Sequence, residues 1–387
     1  MKTSPPTSHP EYTVPGGDEY VFSSHEFWTS GFFPGSLAVL YERQRLWKNH
    51  SMLAGTRCPH PLVLQHAIRW WSDELHSQAA RRDNHDLGFM IQPWAQPLWE
   101  LDGDRRAFAA MVTAAHSLAG RLDERVGAIR SWDTCFTTRY RFNDINQDFL
   151  VIIDSMMNLN LLFYVARESN NEYLANIATR HANTLAQTHI RADSSTCHVV
   201  NFEQADGSIK QRMTNQGYSD SSCWARGQAW AITGFAQTYG WTRDAGFLHV
   251  SCRLADYFLQ QLTDDGVPFW DFDAPRPGPK DTSAAMIAAY GMLLLHQHLQ
   301  GKTDGYLTAA LRLVNGVLAS SMASDASFWL EGHGGLKAAN KGLQTILSHA
   351  TINNYEYAPR RFADHGLVYA DYYFLLIGNE LLRMGIL

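Results

Sequence analysis

Two acidic residues stand in surroundings that could make them proton donors, and the first is Asp154. It lies in the run Val151-Ile152-Ile153-Asp154-Ser155-Met156-Met157-Asn158-Leu159, in the first half of a predicted helix. Burial without a partner cation raises the pKa of a carboxyl group, as a general acid near neutral pH requires. The alternative is an Asp that is hydrogen-bonded to loop backbone and anchors the helix end, and the residues alone leave both roles open.

The second acidic candidate is Asp86, in the polar junction Arg82-Asp83-Asn84-His85-Asp86-Leu87-Gly88-Phe89. Gly88 allows a tight turn into the next helix, so Asp86 could project from that helix's N-terminus into a cavity. The alternative is an ordinary N-cap, a position where Asp is common.

A third segment, Asn215 to Trp230, has residue types that suit a carbohydrate ligand. Its aromatic rings could stack on a sugar, its amides and hydroxyls could bind ring hydroxyl groups, and Arg226 could hold a carboxylate. Trp230, at helical spacing from Arg226, could instead belong to the core. Nothing adjacent would lower the pKa of Cys223, so a packed thiol is expected there rather than a nucleophile.

Composition and motifs exclude several classes of function. The 387 residues include 32 Lys and Arg against 38 Asp and Glu, and the net charge of −6 argues against nucleic acid as a partner. The most apolar segment, 284–295, is too short to cross a membrane, and the polar N-terminus lacks the apolar stretch of a secretory signal. No HExxH, GxSxG or Walker motif is present, and His296 and His298 would point apart on a helix, so neither a metal nor a cofactor is expected. Five cysteines without a CxxC pair favour a reduced, cytoplasmic protein.

The elements that must position these residues are mainly helices, because apolar residues recur at helical spacing along most of the chain. Helices are predicted at about 35–47, 60–79, 89–100, 104–122, 148–168, 171–190, 225–240, 244–262, 281–300, 305–322 and 367–383. Only 196–201 and 267–271 look extended. Long segments at 125–146, 191–222, 267–280 and 324–365 are rich in Trp, Asp, Gly and His, which is typical of functional loops.

This pattern predicts an all-α protein in which helical hairpins close into a ring with long loops at one end. Residues 1–22 are expected to form a flexible extension, because they are polar and rich in Pro and Gly. No linker divides the rest of the chain, so residues 23–387 are expected to form a single catalytic domain.

With these residues laid out, the chain resembles the unsaturated glucuronyl hydrolases of glycoside hydrolase family 88 over nearly its whole length. The most specific matches are His85-Asp86-x-Gly88-Phe89, Ile129-Arg130-Ser131-Trp132-Asp133, Ile153-Asp154-Ser155-Met156-Met157-Asn158 and Trp224-Ala225-Arg226-Gly227-Gln228-Ala229-Trp230. The resemblance implies an (α/α)6 barrel, which agrees with the helix pattern. It also implies hydration of the C4=C5 double bond that polysaccharide lyases leave on a terminal uronic acid, with an unsaturated oligosaccharide as the partner.

Carried over motif by motif, the resemblance assigns Asp154 as the acid and base of the reaction and Asp86 as its partner carboxylate. It further implies that the substrate is bound by Trp28, His85, Trp132, His198, Gln216, Trp224, Arg226 and Trp230. The resemblance is weakest after residue 324, where 353–357 occupies a loop that contacts substrate in relatives.

Three alternatives are left open. The first is an unsaturated rhamnogalacturonyl hydrolase like those of family 105, which shares the fold. The second is an (α/α)6 sugar epimerase, which would need a histidine pair drawn from His198, His333, His349 and His365, although no motif pairs them. The third is a helical scaffold without catalysis, which would not need Trp and Asp clustered in motifs beside loops.

Overall fold

The computed structural model describes residues 4–17, 19–51, 59–300, 305–323, 328–331, 335–338 and 344–387. The helices within these ranges are α1 Phe32–Leu46, α2 Pro61–Ser72, α3 Leu75–Gln78, α4 Leu87–Asp102, α5 Arg105–Ala119, α6 Leu159–Ser169, α7 Glu172–Thr188, α8 Ala225–Thr242, α9 Ala245–Gln260, α10 Thr282–His298, α11 Tyr306–Ser321 and α12 Val368–Arg383. A 3₁₀ helix at Ile153–Asn158 directly precedes α6.

The helices form two concentric layers. The inner layer consists of α1, α4, α6, α8, α10 and α12, each packed on the next, and α12 returns to pack on α1 and close the ring. Outside it, α2, α5, α7, α9 and α11 each pack against the inner helix that precedes them in a hairpin. This arrangement is the predicted (α/α)6 barrel, and its core is a continuous cluster of buried side chains contributed by both layers.

The sequence explains where these helices begin and which ones lie inside. Side chains of Asp104, Asn171, Asp244 and Asp281 accept hydrogen bonds from the first backbone N–H groups of α5, α7, α9 and α10. Such caps satisfy donors that have no partner within the helix. The inner helix α10 is buried on nearly all its faces over 282–295, as its apolar composition requires.

Short strands are more frequent than predicted. They are β1 Ser8–Thr13, β2 Tyr20–Ser24, β3 Leu122–Asp123, β4 Ala128–Ile129, β5 Cys135–Phe136, β6 Arg141–Phe142, β7 Phe149–Ile152, β8 Val199–Phe202, β9 Ile209–Met213, β10 Phe328–Glu331, β11 Gly335–Ala338, β12 Ala350–Asn353 and β13 Phe362–His365. All pair antiparallel, as two-stranded hairpins or as the sheet β7-β8-β9. The segment 196–201 does contribute to β8, whereas 267–271 forms only isolated bridges.

The predicted helix at 148–168 is wrong in its first half. Residues 149–152 form β7, which pairs with β8, and 153–158 form the 3₁₀ helix before α6 begins at Leu159. The run Phe-Leu-Val-Ile fits a fully buried strand as well as a buried helix, and periodicity alone does not separate the two. Asp154 therefore lies at a junction between a strand and a helix.

The prediction of a flexible segment at 1–22 also needs correction. Within it, β1 pairs with β2, the side chain of His9 is buried against Trp71, and Tyr20 donates a hydrogen bond to the buried carboxylate of Asp371. Pro15, Gly16 and Gly17 lie between the two strands of this hairpin, whereas Pro10 lies within β1 next to the register shift. That residues 23–387 form one domain stays a prediction.

Two further features concern the whole chain. Cys135, Cys197 and Cys223 form no disulfide bond, while Cys58 lies outside the described residues. Within the described ranges, every helix is too short or too polar to cross a lipid bilayer.

Candidate active site

A cavity of about 250 Å³ opens where the inner helices begin. It is lined by Glu11, Phe27, Trp28, Thr29, Asp86, Phe89, Trp132, Ile152, Asp154, Asn215, Gln216, Arg226, Ile352, Asn353 and Tyr369. Several of these residues precede or open α1, α4, α6, α8 and α12. Five helix N-termini therefore face this region, and their dipoles favour a negatively charged ligand.

Asp154 lies in the 3₁₀ helix between β7 and α6, held there because the N–H of Ile153 donates to the carbonyl of His198 at 3.0 Å. Only 8% of the residue is exposed. Burial raises the pKa of Asp154 to about 7, opposed by the charge of Arg226. Its Oδ2 atom is buried and has no hydrogen-bond partner in the described part of the chain.

Asp86 occupies the N-cap position of α4, yet its side chain caps no backbone N–H. The alternative of a plain N-cap therefore fails. Burial raises the pKa of Asp86 to about 7, and repulsion by Asp154 adds to the effect. Two carboxyl groups that repel each other in one cavity hold at least one proton between them near neutral pH.

A close contact joins the two segments that carry these carboxyl groups. The backbone N–H of Gly88 donates to Oδ1 of Asn158 at 2.8 Å. A Cβ atom at position 88 would lie 2.5 Å from that oxygen, so only glycine fits.

Two buried histidines adjoin the carboxyl groups without lining the cavity. His198 Nε2 lies 3.7 Å from Asp154 Oδ2, and His85 Nε2 lies 3.3 Å from Asp86 Oδ1. Burial lowers the pKa of His198 to about 3 and that of His85 well below its usual value. Both rings are therefore neutral, and the structure places them behind the carboxyl groups, away from the space a substrate would fill.

Trp28, Trp132 and Gln216, which the resemblance implies as substrate contacts, all line the cavity. The ring of Trp28 rests on Phe32, Phe89 and Tyr369. Trp132 bridges to the backbone of both Asn84 and Leu150, beside the segments that carry Asp86 and Asp154. Gln216 donates from Nε2 to the carbonyl of Ile352 at 2.9 Å.

Arg226 lines the cavity, but its guanidinium already has partners. It forms a buried ion pair with Asp281 at 2.8 Å and donates to the carbonyls of Thr351 and Ile352. Only 1% of Arg226 is exposed. The guanidinium therefore shares its charge with Asp281 and holds the 351–352 backbone, and a role in binding a substrate carboxylate stays a prediction.

Trp224 and Trp230 are buried beneath the cavity and do not line it. Trp224 lies between His198, with ring centroids 4.5 Å apart, and the guanidinium of Arg226. Trp230 is fully buried against Phe89 and Tyr373. Trp230 therefore belongs to the core, which was the alternative to a role in ligand binding. Both tryptophan rings pack beneath the residues that line the cavity.

Sequence reasoning missed several lining residues, chiefly Glu11, Thr29 and Tyr369. The hydroxyl of Tyr369 is buried and has no partner among the described residues, which leaves it free for a ligand. Asn353 belongs to the 353–357 loop that the sequence did associate with substrate. Local pattern could not reveal Glu11, because the segment 1–22 lacks any periodic signal.

No cluster of three or more His, Cys, Asp or Glu side chains suited to a metal ion occurs among the described residues. His333 lies outside these ranges. His198, His349 and His365 are described, and His349 pairs with Asp364 on the surface rather than with either of the other two. None of these three histidines is among the residues that line the cavity, where an epimerase would need its acid and base.

A ring of six inner helices, with two carboxyl groups of near-neutral pKa in a cavity walled by tryptophan, defines a carbohydrate-active hydrolase of the (α/α)6 barrel class. No protein-family model matches the chain. An unsaturated glucuronyl hydrolase from Formosa agariphila is 33% identical over 90% of this chain and 78% of its own length. An unsaturated chondroitin disaccharide hydrolase from Streptococcus pneumoniae is 30% identical over 92% of this chain and 82% of its own length.

Solved structures agree with these relatives. The crystal structure of an unsaturated glucuronyl hydrolase specific for heparin aligns with a TM-score of 0.79 at 28% identity, covering 100% of this chain and 94% of that one. The enzyme from Streptococcus agalactiae aligns with a TM-score of 0.78 at 25% identity, covering 98% and 86% of the two chains. The chain belongs to the unsaturated glucuronyl hydrolase family, and it is a glycoside hydrolase.

Proposed function

We propose that this enzyme releases the unsaturated (C4=C5) uronic acid from the non-reducing end of oligosaccharides that polysaccharide lyases produce. The observation that carries the proposal is the pair Asp86 and Asp154, both with a pKa of about 7 and both facing one cavity. Such a pair supplies a protonated and an ionised carboxyl group at the same pH.

Asp154 performs both proton transfers in this proposal. Its protonated carboxyl donates to C4, the C4=C5 electron pair forms the new C–H bond, and positive charge develops at C5 and is shared with the ring oxygen. A water molecule attacks C5 while the Asp154 carboxylate accepts its proton, so one water has been added across the double bond. The resulting hemiketal opens to a ketone by cleaving the bond from C5 to the ring oxygen, and C1 then expels the next sugar.

The other lining residues bind and orient the substrate. Asp86 accepts hydrogen bonds from ring hydroxyl groups, and repulsion between the two carboxylates favours a form of the pair that keeps one proton. Trp28 and Trp132 provide flat apolar walls for the sugar rings, Gln216 and Asn353 contact hydroxyl groups, and the helix N-termini balance the uronate charge. Arg226, His198 and Trp224 position this set from below.

Two finer assignments complete the proposal. The motifs at 85–89, 129–133, 153–158 and 224–230 support membership of glycoside hydrolase family 88. A cytoplasmic location rests on an odd number of cysteines without a CxxC pair, a composition typical of proteins in a reducing compartment.

The test is a panel of lyase-generated unsaturated disaccharides, followed by loss of the ultraviolet absorbance of the C=C bond. Glucuronyl disaccharides from glycosaminoglycans are expected to lose this absorbance. Turnover restricted to products of rhamnogalacturonan would move the assignment to the family 105 type of activity, and no turnover of either class would refute the proposal.

A further inference from the structure

The N-terminal hairpin places a third carboxylate in the wall of the active-site cavity. Strand β1 pairs with β2 in a register that shifts between Pro10 and Tyr12, so Glu11 is the extra residue of a β-bulge. Bulges bend a strand and re-aim the side chain at that position, and they are frequent beside active sites. Here the side chain of Glu11 lines the same cavity as Asp86 and Asp154.

The surroundings of Glu11 leave its negative charge without a counterion. Burial raises the pKa of Glu11, and the one interaction that opposes this shift is a hydrogen bond from the hydroxyl of Ser23. Within the described residues Glu11 forms no ion pair with Lys or Arg. A half-buried carboxylate without a counterion lowers the stability of the fold. Such residues occur mainly at functional sites, and we therefore expect Glu11 to bind the ligand.

The cavity offers little positive charge to balance Glu11. Among the residues that line it, Arg226 is the one cation, and its guanidinium is shared with Asp281 and with the carbonyls of Thr351 and Ile352. The free hydroxyl of Tyr369 lies close enough to Glu11 for the carboxylate to raise the pKa of this phenol. Glu11 and Tyr369 therefore offer an acceptor and a donor to uncharged polar groups on this side of the cavity.

We propose that Glu11 is a specificity-determining residue that accepts hydrogen bonds from sugar hydroxyl groups and excludes sulfate esters from the side of the cavity formed by the hairpin. A carboxylate accepts a hydrogen bond from a hydroxyl group and repels a sulfate. The side chain of Glu11 can therefore favour substrates with a free hydroxyl group and disfavour sulfated ones. This inference rests on the proposed function, because it concerns the substituents of that substrate.

The experiment compares kcat/KM for unsaturated chondroitin disaccharides that are unsulfated, 2-sulfated on the uronic acid, or 4- or 6-sulfated on the second sugar. The wild-type enzyme is expected to prefer the unsulfated compound over at least one sulfated compound by about tenfold or more. Glu11→Gln keeps the shape and the Ser23 contact but removes the charge. For that compound, Glu11→Gln should raise the ratio of kcat/KM for the sulfated form to kcat/KM for the unsulfated form by about tenfold. The position of its sulfate then identifies the substituent that faces the hairpin.

Glu19→Gln is the matched control, because it removes the same charge from an exposed position of the same hairpin and should leave every ratio unchanged. Equal use of all four compounds by the wild type would overturn the inference without any variant. So would ratios that Glu11→Gln leaves unaltered in a folded, active enzyme. A wild type that consumes none of the four would instead refute the proposed function on these substrates, and this inference with it.

Discussion

Nε2 of His198 lies 3.7 Å from Oδ2 of Asp154, while Nδ1 of the same ring accepts a hydrogen bond from the backbone N–H of Asn215. Because Nδ1 is an acceptor, the neutral ring carries its hydrogen on Nε2, on the side of the carboxyl group. Burial lowers the pKa of His198 to about 3, so the ring does not compete for the catalytic proton. It is placed to donate a hydrogen bond to Asp154 after the carboxyl group has given its proton away.

His198→Ala should therefore lower kcat by about ten- to a hundredfold, because a hydrogen bond to a charged group contributes about 1.5–3 kcal/mol. Since this bond favours the carboxylate form, its loss should also raise the pKa of Asp154 and move the alkaline limb of the rate profile to higher pH. Profiles of kcat against pH for both enzymes measure the effect. A slower variant with an unmoved alkaline limb would show that His198 only supports the fold.

The two carboxyl groups predict how the rate depends on pH. Asp154 must be protonated to act, and its pKa is about 7, so kcat/KM should fall as pH rises above this value. Asp86→Asn removes the neighbouring negative charge, so it should lower the pKa of Asp154 and move the alkaline limb to lower pH. A limb that stays in place would contradict the coupling of the two groups.

The same pair predicts how stability depends on pH. Both pKa values are raised above the usual 3.8 of Asp, so between about pH 4 and 7 the folded state binds more protons than the unfolded state. Stability should therefore decrease as pH rises through this interval. Replacing Asp86 by Asn should raise the Tm at pH 8 more than at pH 4. Equal effects at both pH values would contradict the raised pKa.

Arg226 is expected to matter for stability as well as activity. Arg226→Ala leaves the carboxylate of Asp281 buried without its partner, and breaking such a pair costs about 3–5 kcal/mol. Thermal unfolding should show a large drop in Tm. The double variant Arg226→Ala/Asp281→Asn should recover part of the Tm but little activity, because the 351–352 carbonyls beside Gln216 are no longer held. Recovery of activity together with stability would show that Arg226 does not position the cavity wall.

Gly88 should tolerate no side chain. A Cβ at this position meets the side chain and backbone of Asn158 at 2.5–2.8 Å, and overpacking of this kind typically costs about 1–3 kcal/mol. Gly88→Ala should therefore lower both the Tm and kcat, because the same contact sets the relative placement of Asp86 and Asp154. Gly120→Ala is the control, since its Cβ would meet neighbours only at 3.5 Å. Equal Tm and kcat values for the two variants would show that Gly88 does not set the placement of the two carboxyl groups.

Helical periodicity was sufficient to predict the barrel, because α5, α7, α9 and α12 carry clear caps or apolar stripes and begin within a residue or two of the expected positions. It failed at β7, where a short run of apolar residues fits either a strand or a buried helix. The resemblance supplied Asp86 and Asp154 as a pair, since nothing local joins positions 68 residues apart.

Features that depend on distant pairing could not be predicted. The Arg226–Asp281 ion pair joins two helix starts, so the sequence showed only a cation without its partner. Glu11 owes its direction to a bulge in β1, which exists only because β2 pairs with it. Trp224 and Trp230 share a motif with Arg226, and only the packing shows that they lie beneath the cavity rather than in it.

The central claim is that Asp154 delivers the proton to C4, and Asp154→Asn tests it most directly. The amide keeps the size of the carboxyl group and removes its transferable proton, and general acid–base assistance contributes about 10²–10⁴-fold. Turnover of unsaturated glucuronyl disaccharides, followed by loss of the C=C absorbance, should fall at least a hundredfold while the substrate binds with similar affinity. Product made by the wild type in heavy water should carry deuterium at C4. A fully active Asp154→Asn enzyme would contradict the account and make Asp86 the first candidate for the acid.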